Sequence, residues 1–337
     1  MKKLISLLPL IAVLVFSCST DRGIQQILGT SAEAPVFLEC RPVSSTEIVF
    51  KFSVPVHLVS FNMDPYRKAQ VIEDEKELRI SFGEALEEGK KFTVDIIVED
   101  TDRNSLNVIV PFRARNDRMP ALLFNELRTE YSKPKVEFLE FYAPEAGNLG
   151  AIRLFIAGFS LLEPAYEFPP AEVKAGEYIV LHLRSLEEAC RDETGADLAY
   201  SGGTEASAGA RDFWLPGSSK ILHKTDALWL LDQDDEIIDA VLLSENPGAA
   251  WSQKDAAIAQ AAEFLSRKKA WFPASGKTPE SGWIPAPGDA IVTAGTTNTR
   301  TICRDEKLPK ESRAGNWYIT ATSCATPGKE NNPKRYN

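Results

Sequence analysis

Leu78-Arg79-Ile80-Ser81-Phe82 alternates apolar and polar side chains without interruption. Successive side chains on a strand point to opposite faces, so this run predicts a strand with one buried face. Three neighbouring runs carry the same kind of signal. They are Ile48-Val49-Phe50-Lys51-Phe52-Ser53, closed by Pro55; Phe92-Thr93-Val94-Asp95-Ile96-Ile97-Val98, led in by a Glu88-Gly89-Lys90 turn; and Asn107-Val108-Ile109-Val110-Pro111-Phe112. Short β-rich runs separated by turn signals predict an antiparallel sandwich over residues 35–117, with a boundary at residues 116–120.

The β pattern beyond that boundary is broken once. Ser252, followed three residues later by Asp255, has the form of a capping box. The alanine-rich stretch behind it predicts a helix within 252–272, with Ile258, Ala261, Ala262 and Leu265 on one face. Arg267, Lys268 and Lys269 fall where the helix dipole favours cations, and Pro273 stops the helix. Residues 274–288, rich in Gly, Pro and Ser, read as a loop.

The stretch 50–106 resembles the bacterial Ig-like domains of surface proteins. The resemblance rests on Phe50-Lys51-Phe52-Ser53-Val54-Pro55-Val56, on Leu86-Glu87-Glu88-Gly89-Lys90-Lys91-Phe92-Thr93-Val94 and on Asp100-Thr101-Asp102-Arg103-Asn104-Ser105-Leu106. Arg103 stands where that pattern has glycine, and Phe92 where it has tyrosine. Residues 121–331 resemble the lamin tail domain, another Ig-like sandwich. Here the carriers are Phe124-Asn125-Glu126-Leu127 and Val136-Glu137-Phe138-Leu139-Glu140-Phe141-Tyr142, then Ala175-Gly176-Glu177-Tyr178, then Asp226-Ala227-Leu228-Trp229-Leu230-Leu231-Asp232 and Ile237-Ile238-Asp239-Ala240-Val241, and finally Ala325-Thr326-Pro327-Gly328 with Asn331. The resemblances imply an all-β fold: two tandem Ig-like antiparallel β-sandwiches, the second with an inserted α-helix. The expected domains are 35–117 and 118–331, with 332–337 as a tail.

The N-terminus opens Met1-Lys2-Lys3 and then runs apolar over residues 4–16. That core suits a signal peptide and is too short for a helix that must cross about 30 Å of hydrocarbon. Val15-Phe16-Ser17-Cys18 resembles a lipobox, with Val15 and Phe16 departing from the usual residues. The expectation is a signal peptide at 1–17, lipid on the Cys18 sulfur and a polar tether at 18–34. The formal charge of −10 becomes −12 when Lys2 and Lys3 are removed. An acidic chain argues against nucleic acid as a partner and against electrostatic docking on anionic lipid. The expected partners are a membrane, through the N-terminal lipid, and a protein ligand. The expected location is the bacterial cell envelope. Ser19 after the lipidated cysteine, where an inner-membrane retention signal would have aspartate, points to the outer membrane.

Four other cysteines remain. Export permits disulfides; Cys303 and Cys324 are the candidate pair, a link worth about 3 kcal/mol in the chain-entropy model. Cys40 and Cys190 either pair or stay as thiols.

Catalytic and metal signatures are weak. His57, His182 and His223 share no ligand spacing, so no metal site is expected. Asp232-Gln233-Asp234-Asp235 imitates a calcium loop without its glycine or its final glutamate, and reads better as a hairpin turn. Gly276-Lys277-Thr278 imitates a phosphate loop, but Trp271 occupies the place of the required upstream glycine. Glu126, Glu137 and Glu140 are candidate paired carboxylates. Glu137 and Glu140 are separated by an odd number, which puts them on opposite sides of a strand, one solvated and one paired. No catalytic residue and no cofactor is expected. Trp214, Trp251, Trp271 and Trp283 fall in loops or at the helix end. Trp251, Trp271 and Trp283 are the candidate binding surface, the alternative being that they pack long loops onto the sandwich. The functional expectation is a non-catalytic binding, adhesion or scaffolding module. Its rivals are an accessory part of an exported hydrolase and a structural component of the envelope.

Overall fold

The computed structural model describes residues 34–248, 250–275, 282–308 and 311–336. These form two compact units, one of residues 34–86 with 91–114 and one of residues 87–90 with 115–336. The first unit therefore ends close to the expected 117. Cys18, the signal peptide and nearly all of the tether lie outside the described residues, as does Gly276-Lys277-Thr278.

The first unit contains β1 (Phe37–Ser44), β2 (Glu47–Phe52), β3 (His57–Asp64), β4 (Ala69–Asp74), β5 (Glu77–Phe82), β6 (Lys91–Glu99) and β7 (Ser105–Arg113). They build an antiparallel sheet of order β1-β2-β5-β4 and another of order β3-β6-β7. Leu78, Ile80 and Phe82 are buried, as their alternation requires, together with Ile48, Phe50 and Phe52 of β2 and Phe92, Val94, Ile96 and Val98 of β6. Cross-strand pairing reinforces this core: Phe92 lies opposite Phe112, with ring centroids 5.7 Å apart. The strands that no run in the sequence marks, β1, β3 and β4, have mostly exposed or half-exposed residues and little contrast between faces.

The β6–β7 turn explains the motif around Asp100. Its Oδ1 accepts hydrogen bonds from the Asp102 and Asn104 amides at 2.8 and 2.9 Å, and its Oδ2 accepts one from Asn104 Nδ2 at 2.8 Å. These bonds hold the burial-disfavoured carboxylate below its usual range and force Arg103 into the left-handed region, φ +66°.

In the second unit the strands are β8 (Leu123–Arg128), β9 (Phe138–Ala143), β10 (Gly147–Asn148), β11 (Arg153–Ile156), β12 (Tyr166–Glu167), β13 (Glu172–Val173), β14 (Glu177–His182), β15 (Arg211–Trp214), β16 (Asp226–Leu231), β17 (Ile237–Ser244), β18 (Ile291–Val292), β19 (Ile302–Arg304) and β20 (Trp317–Ile319). A six-stranded sheet runs β15-β14-β9-β8-β19-β20 and a five-stranded sheet β12-β11-β16-β17-β18, with β10 paired to β13. Phe124, Leu139, Phe141, Ile179 and Leu181 from the first sheet share one core with Leu154, Ile156, Leu228 and Leu230 from the second. The unit is not purely antiparallel, as had been expected: β15 runs parallel to β14 and β18 parallel to β17. In both cases a long connection, 183–210 or 245–290, carries the chain back to the same end before it re-enters the sheet.

Helix α1 (Ala256–Arg267) follows a 3-10 turn, Gln253–Asp255. It buries Ile258, Ala261, Ala262 and Leu265, the face read from the sequence. It ends five residues before the expected Phe272. Lys269 takes φ +57°, its amide donates to the Ser266 carbonyl at 3.0 Å, and the Ala270 amide donates to the Leu265 carbonyl at 2.8 Å. This is a Schellman closure with lysine in the place glycine usually holds, so it leaves no sequence signature. The expected tail is also part of the fold, since Arg335 bridges to Thr320 and the Tyr318 hydroxyl donates to the Asn332 carbonyl at 2.8 Å.

Arg103→Gly removes a left-handed non-glycine residue, a conformation that costs roughly 1–2 kcal/mol. Part of this gain is offset by the flexibility of glycine in the unfolded chain. The expected outcome in chemical denaturation is a first unit stabilised by up to about 1 kcal/mol.

Candidate functional site

The paired carboxylates exist, but they are Glu126 and Glu140. Strands β8 and β9 set them opposite each other, and neither has any solvent exposure. A β-bulge between Phe124 and Glu126 shifts the register at this point, which periodicity alone does not reveal. Glu126 accepts hydrogen bonds from the Thr301 hydroxyl and, at 2.9 Å, from the Thr326 amide. Glu140 accepts from Asn125 Nδ2 at 2.8 Å and from the Gly328 amide at 2.5 Å. The segment Ala325-Thr326-Pro327-Gly328 is thus a strap whose amides close over both carboxylates. Burial pushes both carboxyls above their ordinary range. Glu140 goes well above it, with the Glu126 charge as the next cause.

Glu137 lies just before β9 and is bound on both oxygens by Arg184, at 2.6 and 2.7 Å, with both side chains buried or nearly so. The expectation that either Glu137 or Glu140 is solvated is therefore corrected: Arg184 covers one and the strap covers the other.

The remaining sequence candidates fall as follows. His57 sits on β3, 3.5 Å from Glu99, and His223 lies in a loop, 3.7 Å from Asp226. His182 is buried on β14 with Nε2 2.7 Å from Asp212 Oδ1, and its ring stacks on Trp214 at 3.8 Å. Trp214 is thus a strand residue of β15, contrary to the loop reading. Asp232 Oδ1 accepts from the Asp234 and Glu236 amides at 2.8 and 2.9 Å, which is the hairpin turn between β16 and β17. Cys303 and Cys324 are separate thiols. Cys303 is sealed inside the sheet opposite Glu126 and Tyr318, whereas Cys324 lies beyond β20 in a turn. Cys40 and Cys190 are also free; burial pushes the Cys40 thiol up to about 12.

The tryptophan surface is not formed as expected. Trp271 has no exposure, and its Nε1 donates to the Asp289 carbonyl at 3.0 Å. Trp251 is half-buried, with Nε1 donating to the Pro285 carbonyl at 2.8 Å, and Trp283 packs half-buried on the same core. Their role is to fasten the long 245–290 connection onto the sandwich, the alternative weighed above.

A different aromatic group lines an open groove. Strand β16 is apolar on both faces. Leu228 and Leu230 enter the core between the sheets, while Trp229 and Leu231 point the other way beside Phe155 of β11. Phe155 and Trp229 stack with centroids 5.2 Å apart and planes 10° from parallel, and Phe264 of α1 leans on Trp229 at 5.9 Å. Because α1 covers only part of this face, a groove of about 380 Å3 remains between Phe264 and the Leu161–Leu162 turn. Leu162 is 90% exposed at its edge. Arg153 and Arg267 stand at the end near the β16–β17 turn, where Arg153 pairs with Asp235 at 2.6 Å. Trp229 on a strand reads as core, and at 3% exposure it is core, although it also floors this groove. The available signal was the unbroken apolar run 227–231, which needs a cover on both sides.

Residues 120–319 match a family model described as "TP_1001_2nd: protein second domain". An uncharacterized protein of Treponema pallidum (strain Nichols) is 35% identical over 116 residues, which is 34% of this chain and 29% of that protein. Among solved structures, the N-terminal part of the bacterial S-layer protein SbsC aligns with a TM-score of 0.24 at 16% identity, over 44% of this chain and 40% of that one.

A carboxyl raised by burial stabilises the fold below its unfolded value, about 4.5 here, and that contribution is lost as pH climbs toward the raised folded value. Melting temperatures of the protein are therefore expected to fall as pH rises from about 4.5 toward neutrality. Glu140→Gln keeps an acceptor for Gly328 and removes one charge of the pair. Its melting temperature should fall less over the same window; an identical slope would show that the pair is not the titrating element.

Proposed function

Through residues 120–319 the chain belongs to the TP_1001_2nd family, and from that footing we propose that it is a non-catalytic binding module held at a bacterial membrane by lipid on Cys18. The observation that carries the binding half is the contrast between sealed chemistry and open hydrophobic surface. Glu126, Glu140, His182 and Asp212 are acid–base groups brought together by the fold, and each is at most 1% exposed. The groove has Phe155 and Trp229 as its floor, 6% and 3% exposed, half-buried Phe264 as its wall, and Leu162 standing free at its rim. A groove of this size is in the range of about 300–1,000 Å3 typical of ligand sites. Its occupant in this reading is an extended segment of a partner protein that inserts apolar side chains between α1 and the Leu161–Leu162 turn.

The anchoring half rests on residues 1–18: two lysines, a short apolar core and the Val15-Phe16-Ser17-Cys18 lipobox. In this reading the protein resides in the cell envelope, the outer membrane by preference. The first unit is a bacterial Ig-like spacer and the second a lamin-tail-like sandwich. Support for the latter comes from the Ala325-Thr326-Pro327-Gly328 strap and from Asp226 and Asp239, motif residues that are buried and fully hydrogen-bonded.

Two measurements test the two halves separately. Labelled palmitate fed to cells should enter the wild-type protein and not Cys18→Ala; label in neither, or in both, defeats the anchor. A peptide library panned on the purified protein should enrich apolar sequences whose affinity drops about tenfold, roughly 1.4 kcal/mol, in Leu162→Asp. Because Leu162 is 90% exposed, that change leaves the core untouched. Binders indifferent to it, or no binders, defeat the groove.

A further inference from the structure

A second concavity of the same unit has the opposite character. It encloses about 510 Å3 between the chain after β8, the loop before β16, the end of β17 and the start of α1. Four basic side chains reach it from two separate segments: Lys220, His223 and Lys224 from the loop, and Lys254 from the turn that opens the helix. Nothing in the peptide-binding reading uses them.

Three acids, Glu130, Glu245 and Asp255, share the wall with the three lysines, so the formal charges balance while His223 is neutral, but the pairs are long. Glu130 lies 3.5 Å from Lys220 and Glu245 3.5 Å from Lys224. Both separations exceed the roughly 2.7–2.9 Å of a charge-assisted hydrogen bond. An ammonium has three donors, so each lysine keeps donors to offer. Asp255, the third acid, accepts the Ser252 hydroxyl. Among the described residues Lys254 forms no ion pair, and it is exposed. His223 adds a fourth cation as pH falls. The buried Asp226 beneath it, first by hydrogen bonding, lifts its pKa above the ordinary histidine value; Glu130 adds to the lift, while partial burial and Lys220 oppose it. Helix α1 begins at this wall and adds the positive end of its dipole.

We propose that this cavity binds the phosphate group of a small phosphorylated molecule through Lys220, Lys224 and Lys254, with His223 joining when protonated. Lysines placed as point charges from independent segments suit a compact, multiply charged oxyanion, which offers acceptors in several directions at once. The volume exceeds what a phosphate alone would fill, so the remainder of the ligand has room beside Thr225 and Ile258.

The test is a titration of the full chain with inorganic phosphate, followed by ³¹P NMR and calorimetry, with acetate as the comparison. Saturable phosphate binding is expected, weakened about tenfold or more by Lys254→Ala, corresponding to roughly 1.4 kcal/mol. Lys254 is exposed and outside the core, so this variant should melt as the wild type does. At a pH of about 6, below the ordinary histidine pKa of about 6.5, His223→Asn should bind phosphate more weakly than the wild type at the same pH, and the difference should vanish by about pH 9, where the imidazole is neutral. No saturable binding, equal binding in Lys254→Ala, or acetate bound as tightly as phosphate would each overturn the proposal.

Discussion

Two carboxylates face each other across strands β8 and β9 with neither exposed to solvent, and the second unit is organised around satisfying them. A buried charge without partners costs several kcal/mol or shifts its pKa until it is neutral. Here both responses are present. The carboxyls are pushed toward protonation, and donors converge on them from Asn125 on β8, Thr301 before β19, and Thr326 and Gly328 in the C-terminal strap. The strap is otherwise short of regular structure; its amides on the two acids, and the Ser207 hydroxyl donating to the Pro327 carbonyl at 3.1 Å, give it a fixed place. Asn331 continues the fastening, its Nδ2 donating to Asn125 and to the Arg304 carbonyl at 3.0 Å.

A second buried acid ties the two sheets together. Asp239 on β17 accepts the Phe124 amide of β8 at 2.9 Å and Arg304 of β19 at 2.6 Å, while Arg304 Nε donates to the Phe124 carbonyl at 2.7 Å and its guanidinium lies over Trp317. Polar groups buried in this way must be fully paired, and full pairing specifies one arrangement of strands more narrowly than apolar packing alone. His182 with Asp212, and Glu137 with Arg184, are further enclosed pairs that hold β14 to β15 and to the chain before β9, although His182 Nδ1 has no hydrogen-bond partner among the described residues.

With its ionisable groups turned inward, the unit presents two surfaces of opposite chemistry on either side of α1. The helix lies over a sheet face that is apolar except at its Arg153 end, and a helix about 10 Å wide cannot cover it. Along its flank that leaves the Phe155–Trp229–Phe264 groove, and at its beginning the lysine-rich cavity. Both depend on the long 245–290 connection being pinned by Trp251, Trp271 and Trp283, so these tryptophans position the surfaces without forming them.

Local pattern was enough for much of this. Alternation at 78–82 and 92–98 defined buried strand faces because side-chain direction on a strand depends only on position parity. Spacing in the helix identified Ile258, Ala261, Ala262 and Leu265 for the equivalent reason with period 3.6. What needed the tertiary structure was every relation between distant segments. Glu126 meets Glu140 through a bulge, the helix ends on a lysine in a glycine conformation, and β15 and β18 join their sheets in parallel. The strap reaches back some 200 residues to the acids it covers. Trp229 and Trp271 are both buried, 3% and 0% exposed. Only the placement of α1 decides that Trp229 floors a groove while Trp271 is enclosed, because what borders a buried residue depends on what packs against it and not on the residue itself.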